Sequence, residues 1–138
     1  MNLEQLIAVS GLSGIYRMAA NRSNGLIIED VQSGKRRFAS SRKHQFTPLE
    51  SISIFTDDGD SMELKKVFRN MKQQQEDNPP PAASAKSEEL HEYFDEVLPT
   101  YDRDRVFNGD IKKVIKWFNY LDEAGLLNDS AESEEEEE

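Results

Sequence analysis

Two histidines and no cysteine limit the catalytic chemistry open to this 138-residue chain. Nucleophilic catalysis needs a nucleophile, a base and an orienting group brought together. His44 sits in a run of Lys and Arg, and His91 sits among Glu88, Glu89, Glu92 and Asp95. On a helix, His91 and Asp95 lie four apart on one face and offer a metal two ligands. A built zinc site needs a third and a fourth, and none is apparent. The stretch from Asp102 through Asn108-Gly109-Asp110 invites alignment with a calcium loop. That alignment puts Val106 and Ile115 where oxygen ligands are required, so it fails. Neither common glycine-rich phosphate loop is present. The expectation is a protein without catalytic residues, metal or cofactor.

Binding chemistry is better represented. Lys35, Arg36, Arg37, Arg42, Lys43 and His44 cluster around Phe38 and Phe46, and Tyr16-Arg17 lies just upstream. Cations that follow a phosphate backbone and aromatics that stack on bases are the components of nucleic-acid binding. Alternation along a strand would put Arg36 and Phe38 on one face and Lys35 and Arg37 on the other, splitting the cluster. A second candidate surface is Lys112, Lys113, Lys116 and Trp117 on a helix, suited to a protein partner. Successive helical residues are about 100° apart, so Trp117, Phe118 and Tyr120 cannot all be buried on one face. Either that helix is covered on two sides, or one of the aromatics is left for a partner.

The charge is unevenly spread. From Tyr16 to Phe46 seven Lys/Arg accompany two acids, while from Met71 onward seven accompany nineteen, for a net charge of −10. Seven acids among the last ten residues form a tail expected to stay disordered. Such a tail can screen the basic face or serve solubility alone. The apolar run of Met1 to Val9 is too broken for a signal peptide, and no stretch approaches a membrane span. Together with the absence of cysteine, this makes the cytoplasm the expected location.

The elements that must hold these residues are legible from their punctuation. Leu3, Leu6 and Ile7 have helical spacing, with Asn2 as a cap. Ser13-Gly14, Asn24-Gly25, Ser33-Gly34 and Asp58-Gly59 then divide short strands at Ile15 to Ala19, Leu26 to Val31, Lys35 to Ala39 and Ser51 to Thr56. Asn24-Gly25 reads as a two-residue hairpin turn. Ser61 opens a helix carrying Leu64, Val67, Phe68 and Met71, which ends before Pro79-Pro80-Pro81. A third helix starts near Ser87 and ends at Pro99. A fourth, capped by Asn108 and stopped at Gly125, places Ile111, Val114, Ile115, Phe118 and Leu121 on one side. The fold class is therefore α+β: a small SH3-like antiparallel β-barrel with flanking helices, then a helical hairpin and a disordered acidic tail. The divisions fall at residues 1–76 for the barrel, 77–85 for a Pro/Ala/Ser linker, 86–127 for the hairpin and 128–138 for the tail.

Gly11-Leu-Ser-Gly-Ile-Tyr-Arg17, Asn24-Gly-Leu-Ile-Ile-Glu29 and Leu49-Glu-Ser-Ile-Ser-Ile-Phe-Thr56 resemble segments of a family of small bacterial proteins of unknown function. So do Glu96-Val-Leu-Pro-Thr-Tyr-Asp-Arg-Asp-Arg-Val-Phe107 and Asp110-Ile-Lys-Lys-Val-Ile-Lys-Trp-Phe-Asn-Tyr-Leu121. The similarity covers most of residues 1–124 and implies a folded domain, with no activity or site residues attached. The expected function is a non-enzymatic binding or regulatory module, with RNA or DNA as the preferred ligand of the basic barrel face. The alternative is a protein-interaction adaptor that uses the helical hairpin.

Overall fold

The segment expected to open the chain as a helix is a strand. In the computed structural model, which describes residues 3–12, 14–82 and 84–127, Leu6–Val9 forms β1. It lies inside a five-stranded antiparallel sheet with β2 (Ile15–Arg22), β3 (Gly25–Asp30), β4 (Arg36–Ser40) and β5 (Phe46–Pro48), in the order β4-β3-β2-β1-β5. The helical spacing of Leu3, Leu6 and Ile7 is coincidental. Leu6 joins one hydrophobic cluster, and Ile7 and Val9 join another. An interior strand buried on both faces reads as a continuous apolar run, which periodicity alone cannot tell from a helix.

A second expectation moves by one residue. Arg22 pairs with Gly25, so the β2–β3 turn is Ser23-Asn24, and neither residue has a positive φ. Gly25 is a strand residue whose hydrogen is its function. A Cβ there would lie 2.1 Å from the Ala39 carbonyl oxygen.

After a 3₁₀ turn (Leu49–Ser51), β6 (Ser53–Phe55) pairs only with β7 (Ser61–Glu63), apart from the main sheet. Ser61 thus begins a strand, and α1 starts three residues later, spanning Leu64–Gln74. The apolar stripe expected of this helix (Leu64, Val67, Phe68 and Met71) is fully buried. Helices α2 (Ser87–Val97) and α3 (Asn108–Glu123) form the expected hairpin. The chain leaves α3 through a Schellman turn. Gly125 (φ +75°) donates to Asp122, and Leu126 N–H donates to the Leu121 carbonyl.

The main core draws on residues from Leu3 to Leu127. Leu6, Ile15, Leu49 and Ile54 share one cluster with the buried faces of α1, α2 and α3. Polar side chains close the seams. Asn70 and Gln74 donate to the carbonyls of Val97 and Glu96 at 3.0 and 2.8 Å, serving the C-terminus of α2, whose last carbonyls would otherwise lack donors. Lys72 meets Asp122 at 2.6 Å, and Gln75 donates to its second oxygen at 2.8 Å. The smaller cluster of Ile7, Val9, Ile28 and Ala39 lies on the opposite sheet face. The fold is α+β. Among the described residues, no pairing between β4 and β5 closes the sheet.

Candidate binding trough around Trp117

The basic cluster does not form one patch. Arg17, Glu29 and Arg36 are cross-strand neighbours on β2, β3 and β4. Glu29 meets Arg36 at 2.9 Å and Arg17 at 3.8 Å, so one carboxylate serves both guanidinium groups. Arg37 is on the other face, beside Ile28, and helps line a hollow with Tyr16, Asp30, Ser33, Lys35 and Arg36. Arg42 and Lys43 lie in the turn beyond the far end of β4, and a five-residue strand separates them from Lys35 by roughly 17 Å. His44 contacts the Ser10 carbonyl through Nδ1 at 2.7 Å.

The second expected surface is brought together in part, Lys113, Lys116 and Trp117 lying side by side and Lys112 apart from them. On α3, Phe118 points into the core and Tyr120 reaches the sheet, while Trp117 is half-buried between them. The helix is covered on two sides. Tyr120 donates its hydroxyl across both Asp30 oxygens, at 2.7 and 2.8 Å. Gln32 bridges the same seam through the Tyr120 carbonyl and Glu123. Gly14 makes this approach possible, since a Cβ there would lie 2.6 Å from the Tyr120 hydroxyl. Burial pushes the Asp30 carboxyl up, but the Tyr120 hydroxyl and the Gln32 and Ser33 N–H groups outweigh it and hold it below the usual carboxylate range. Burial and the Asp30 contact push the Tyr120 phenol well above its ordinary value.

Trp117 is the wall between two hollows. One, of about 200 Å³, lies between α3 and β6 and is lined by Ile52, Ile54, Val106 and Val114, with Phe55, Arg105 and Asp110 at its edge. The other, of about 520 Å³, lies between α3 and the small side chains of Ala8, Ser10 and Thr47, with Gln45 beside them. Trp117 and Lys113 line both, and Lys116 lines the larger. The two hollows adjoin at Trp117 and Lys113, which line both, and together they make up a trough beside these residues. Lys112, Lys113 and Lys116 are exposed and make no ion pair with the described residues. Lys112 lines neither hollow. Asp110 is the acid of this surface, and it accepts from the Phe107 N–H at 3.0 Å.

Sequence reading missed two members of this site. Arg105 lies over the Phe55 ring, 4.6 Å from its centroid, and Phe55 is 45% exposed. Its outward place in the alternation of residues 51–56 was the available signal. The joining of Arg105 to it depends on the loop after α2, tied to β6 by Asp102 N–H donating to the Phe55 carbonyl at 2.9 Å.

Asn108 does not cap α3, because the helix begins at that residue and Phe107 occupies the cap position. The Asn108 side chain instead accepts from Ser87 at 2.9 Å and from His91 Nε2 at 2.7 Å. With Nε2 donating, Nδ1 accepts from the Tyr101 hydroxyl at 2.7 Å. Both ring nitrogens are therefore engaged within the fold, and Asp95 pairs with Arg103. Among the described residues no group of His, Asp and Glu could hold a metal ion.

Two family models match, each described as a domain of unknown function: DUF5606 over residues 3–49 and DUF6852 over residues 52–121. The chain belongs to this family of uncharacterised proteins. A solution NMR structure from Bacteroides vulgatus, a structural genomics target, is 36% identical to the family member described here. The match covers 92% of this chain and 90% of that one, with a TM-score of 0.72. No curated protein matches the chain. The two matched ranges part between β5 and β6, ahead of the Pro79-Pro80-Pro81 linker, and the main core joins them.

Proposed function

We propose that this family member is a non-enzymatic binding module whose site is the trough beside Trp117, with a protein as its partner. The carrying observation is the placement of Trp117 and Lys113 between two hollows, with Lys113 and Lys116 unpaired among the described residues. Aromatic anchors in partly desolvated clefts, rimmed by charge, are where protein interfaces concentrate their binding energy. No helix among the described residues is long and apolar enough to cross a membrane, and we place the module's action in the cytoplasm.

The chain has one tryptophan, so its emission reports the trough directly. An equal mixture of short acidic, neutral and basic peptides is expected to shift that emission saturably. Mixed single-stranded RNA at low salt is expected to leave it unchanged. An emission indifferent to every peptide sinks the reading.

A second reading, nucleic acid on the outer β2–β4 face, has one observation in its favour. Phe38 is 44% exposed and lies on the same strand face as Arg36, an aromatic beside a cation as in single-strand binding surfaces. The sheet remains an SH3-like barrel in this reading, supported by the cluster of Ile7, Val9, Ile28 and Ala39, to which no helix contributes. It requires RNA affinity that falls steeply with salt and is lost in Arg36→Glu.

A further inference from the structure

The trough's chemistry narrows its occupant. Lys113 faces both hollows, Lys116 faces the larger, and neither has a carboxylate partner among the described residues. The nearby acid, Asp110, already accepts from a backbone N–H. Beneath this cationic rim the smaller hollow is walled by Ile52, Ile54, Val106 and Val114, aliphatic groups without hydrogen-bonding capacity. At about 200 Å³ it falls short of the roughly 300–1,000 Å³ that encloses a drug-sized ligand. It also cannot admit a helix, which is about 10–12 Å across with its side chains. It has room for a protruding apolar side chain. The larger hollow is polar on its sheet side, where the Gln45 and Thr47 side chains make no hydrogen bond with the described residues.

We propose that the trough takes an extended acidic segment of a protein partner, seating one apolar side chain against Trp117 and its carboxylates on Lys113 and Lys116. The proposal rests on the reading of the trough as the binding site and adds the partner's chemistry. Apolar burial in the smaller hollow supplies affinity, and the lysines select charge and speed encounter. Main-chain groups of the segment have Gln45 and Thr47 as partners in the larger hollow.

The test uses the full chain and three short peptides of one pattern, leucine alternating with Glu, Gln or Lys, followed by the emission of Trp117. The Glu peptide is expected to shift the emission saturably, the Gln peptide to bind about fivefold more weakly, and the Lys peptide not to bind. In Lys113→Gln/Lys116→Gln, with circular dichroism confirming the fold, Glu and Gln peptides are expected to bind alike. Equal binding of all three peptides to the unaltered protein overturns the acidic partner and leaves the binding site standing. No shift with any peptide overturns both. A shift with single-stranded RNA alone, or with rising protein concentration alone, assigns the trough to nucleic acid or to a second copy and overturns the proposal.

Discussion

Phe118→Ala is expected to lose about 3–5 kcal/mol of unfolding free energy and to unfold in a single transition at a lower urea midpoint. Phe118 is fully buried, and its ring lies 6.1 Å from that of Phe68 on α1. Truncation leaves a cavity at the meeting of helices that also pack on Leu6 and Ile15 of the sheet. Cavity cost is added to lost transfer energy because the surroundings collapse only in part. The change lies in the region matched by one family model, and the sheet lies in the other. Far-UV circular dichroism and Trp117 fluorescence should nevertheless give superimposable curves, because one core spans both. Two separated transitions, with the sheet melting as in the unaltered protein, would contradict that unity.

Tyr120→Phe is expected to cost about 1.5 kcal/mol, the lower end for a hydrogen bond to a charged acceptor, because Asp30 and Tyr120 are only half-buried. The phenol oxygen is the only group lost, so the effect isolates the contact between α3 and the end of β3. A pH signature accompanies it. Asp30 is held below its ordinary value of 3.8 in the folded state, so the folded protein favours the carboxylate. The stability this contributes is present above the unfolded-state value and is lost as the pH falls through the lower folded-state value. Between those two values the unaltered protein should therefore lose stability more steeply than Tyr120→Phe. Urea midpoints measured from pH 5 down to pH 2 provide the check. Parallel pH profiles for the two proteins would show that Tyr120 does not set the Asp30 titration.

Local signals carried a large part of this architecture. The stripe of Leu64, Val67, Phe68 and Met71 and that of Ile111, Val114, Ile115, Phe118 and Leu121 are both buried as their spacing predicts. A 3.6-residue period over several turns has few alternative explanations. Gly125 is the helix stop that its position suggested. The acidic tail expected at residues 128–138 lies outside the described residues. The cap expected from Asn2 does too.

What local signals could not decide depended on partners distant in the chain. Leu3, Leu6 and Ile7 suit a helix face or a strand buried on both sides, and the choice fell to β2 and β5, which pair with β1 on either edge. Gly25 resembles a turn glycine until the Ala39 carbonyl is placed against it. Lys72, Gln74 and Gln75 are polar residues at the end of α1, and nothing in their types says that they bind α2 and α3, as they do. The candidate site shows the same division. Residue types alone singled out Lys112, Lys113, Lys116 and Trp117, because cations beside a lone tryptophan on an amphipathic helix suggest a surface, and Lys112 lines neither hollow. Whether they formed a site depended on the packing of α3 against β6 and the sheet, which left two hollows that adjoin at Trp117 and Lys113. The basic cluster was equally visible in composition, but strand alternation and the single carboxylate of Glu29 divided and partly neutralised it. Sequence determined the side-chain chemistry and the local periodicity. Tertiary structure decided which charges are paired and which hollows remain open, since both depend on contacts between residues far apart in the chain.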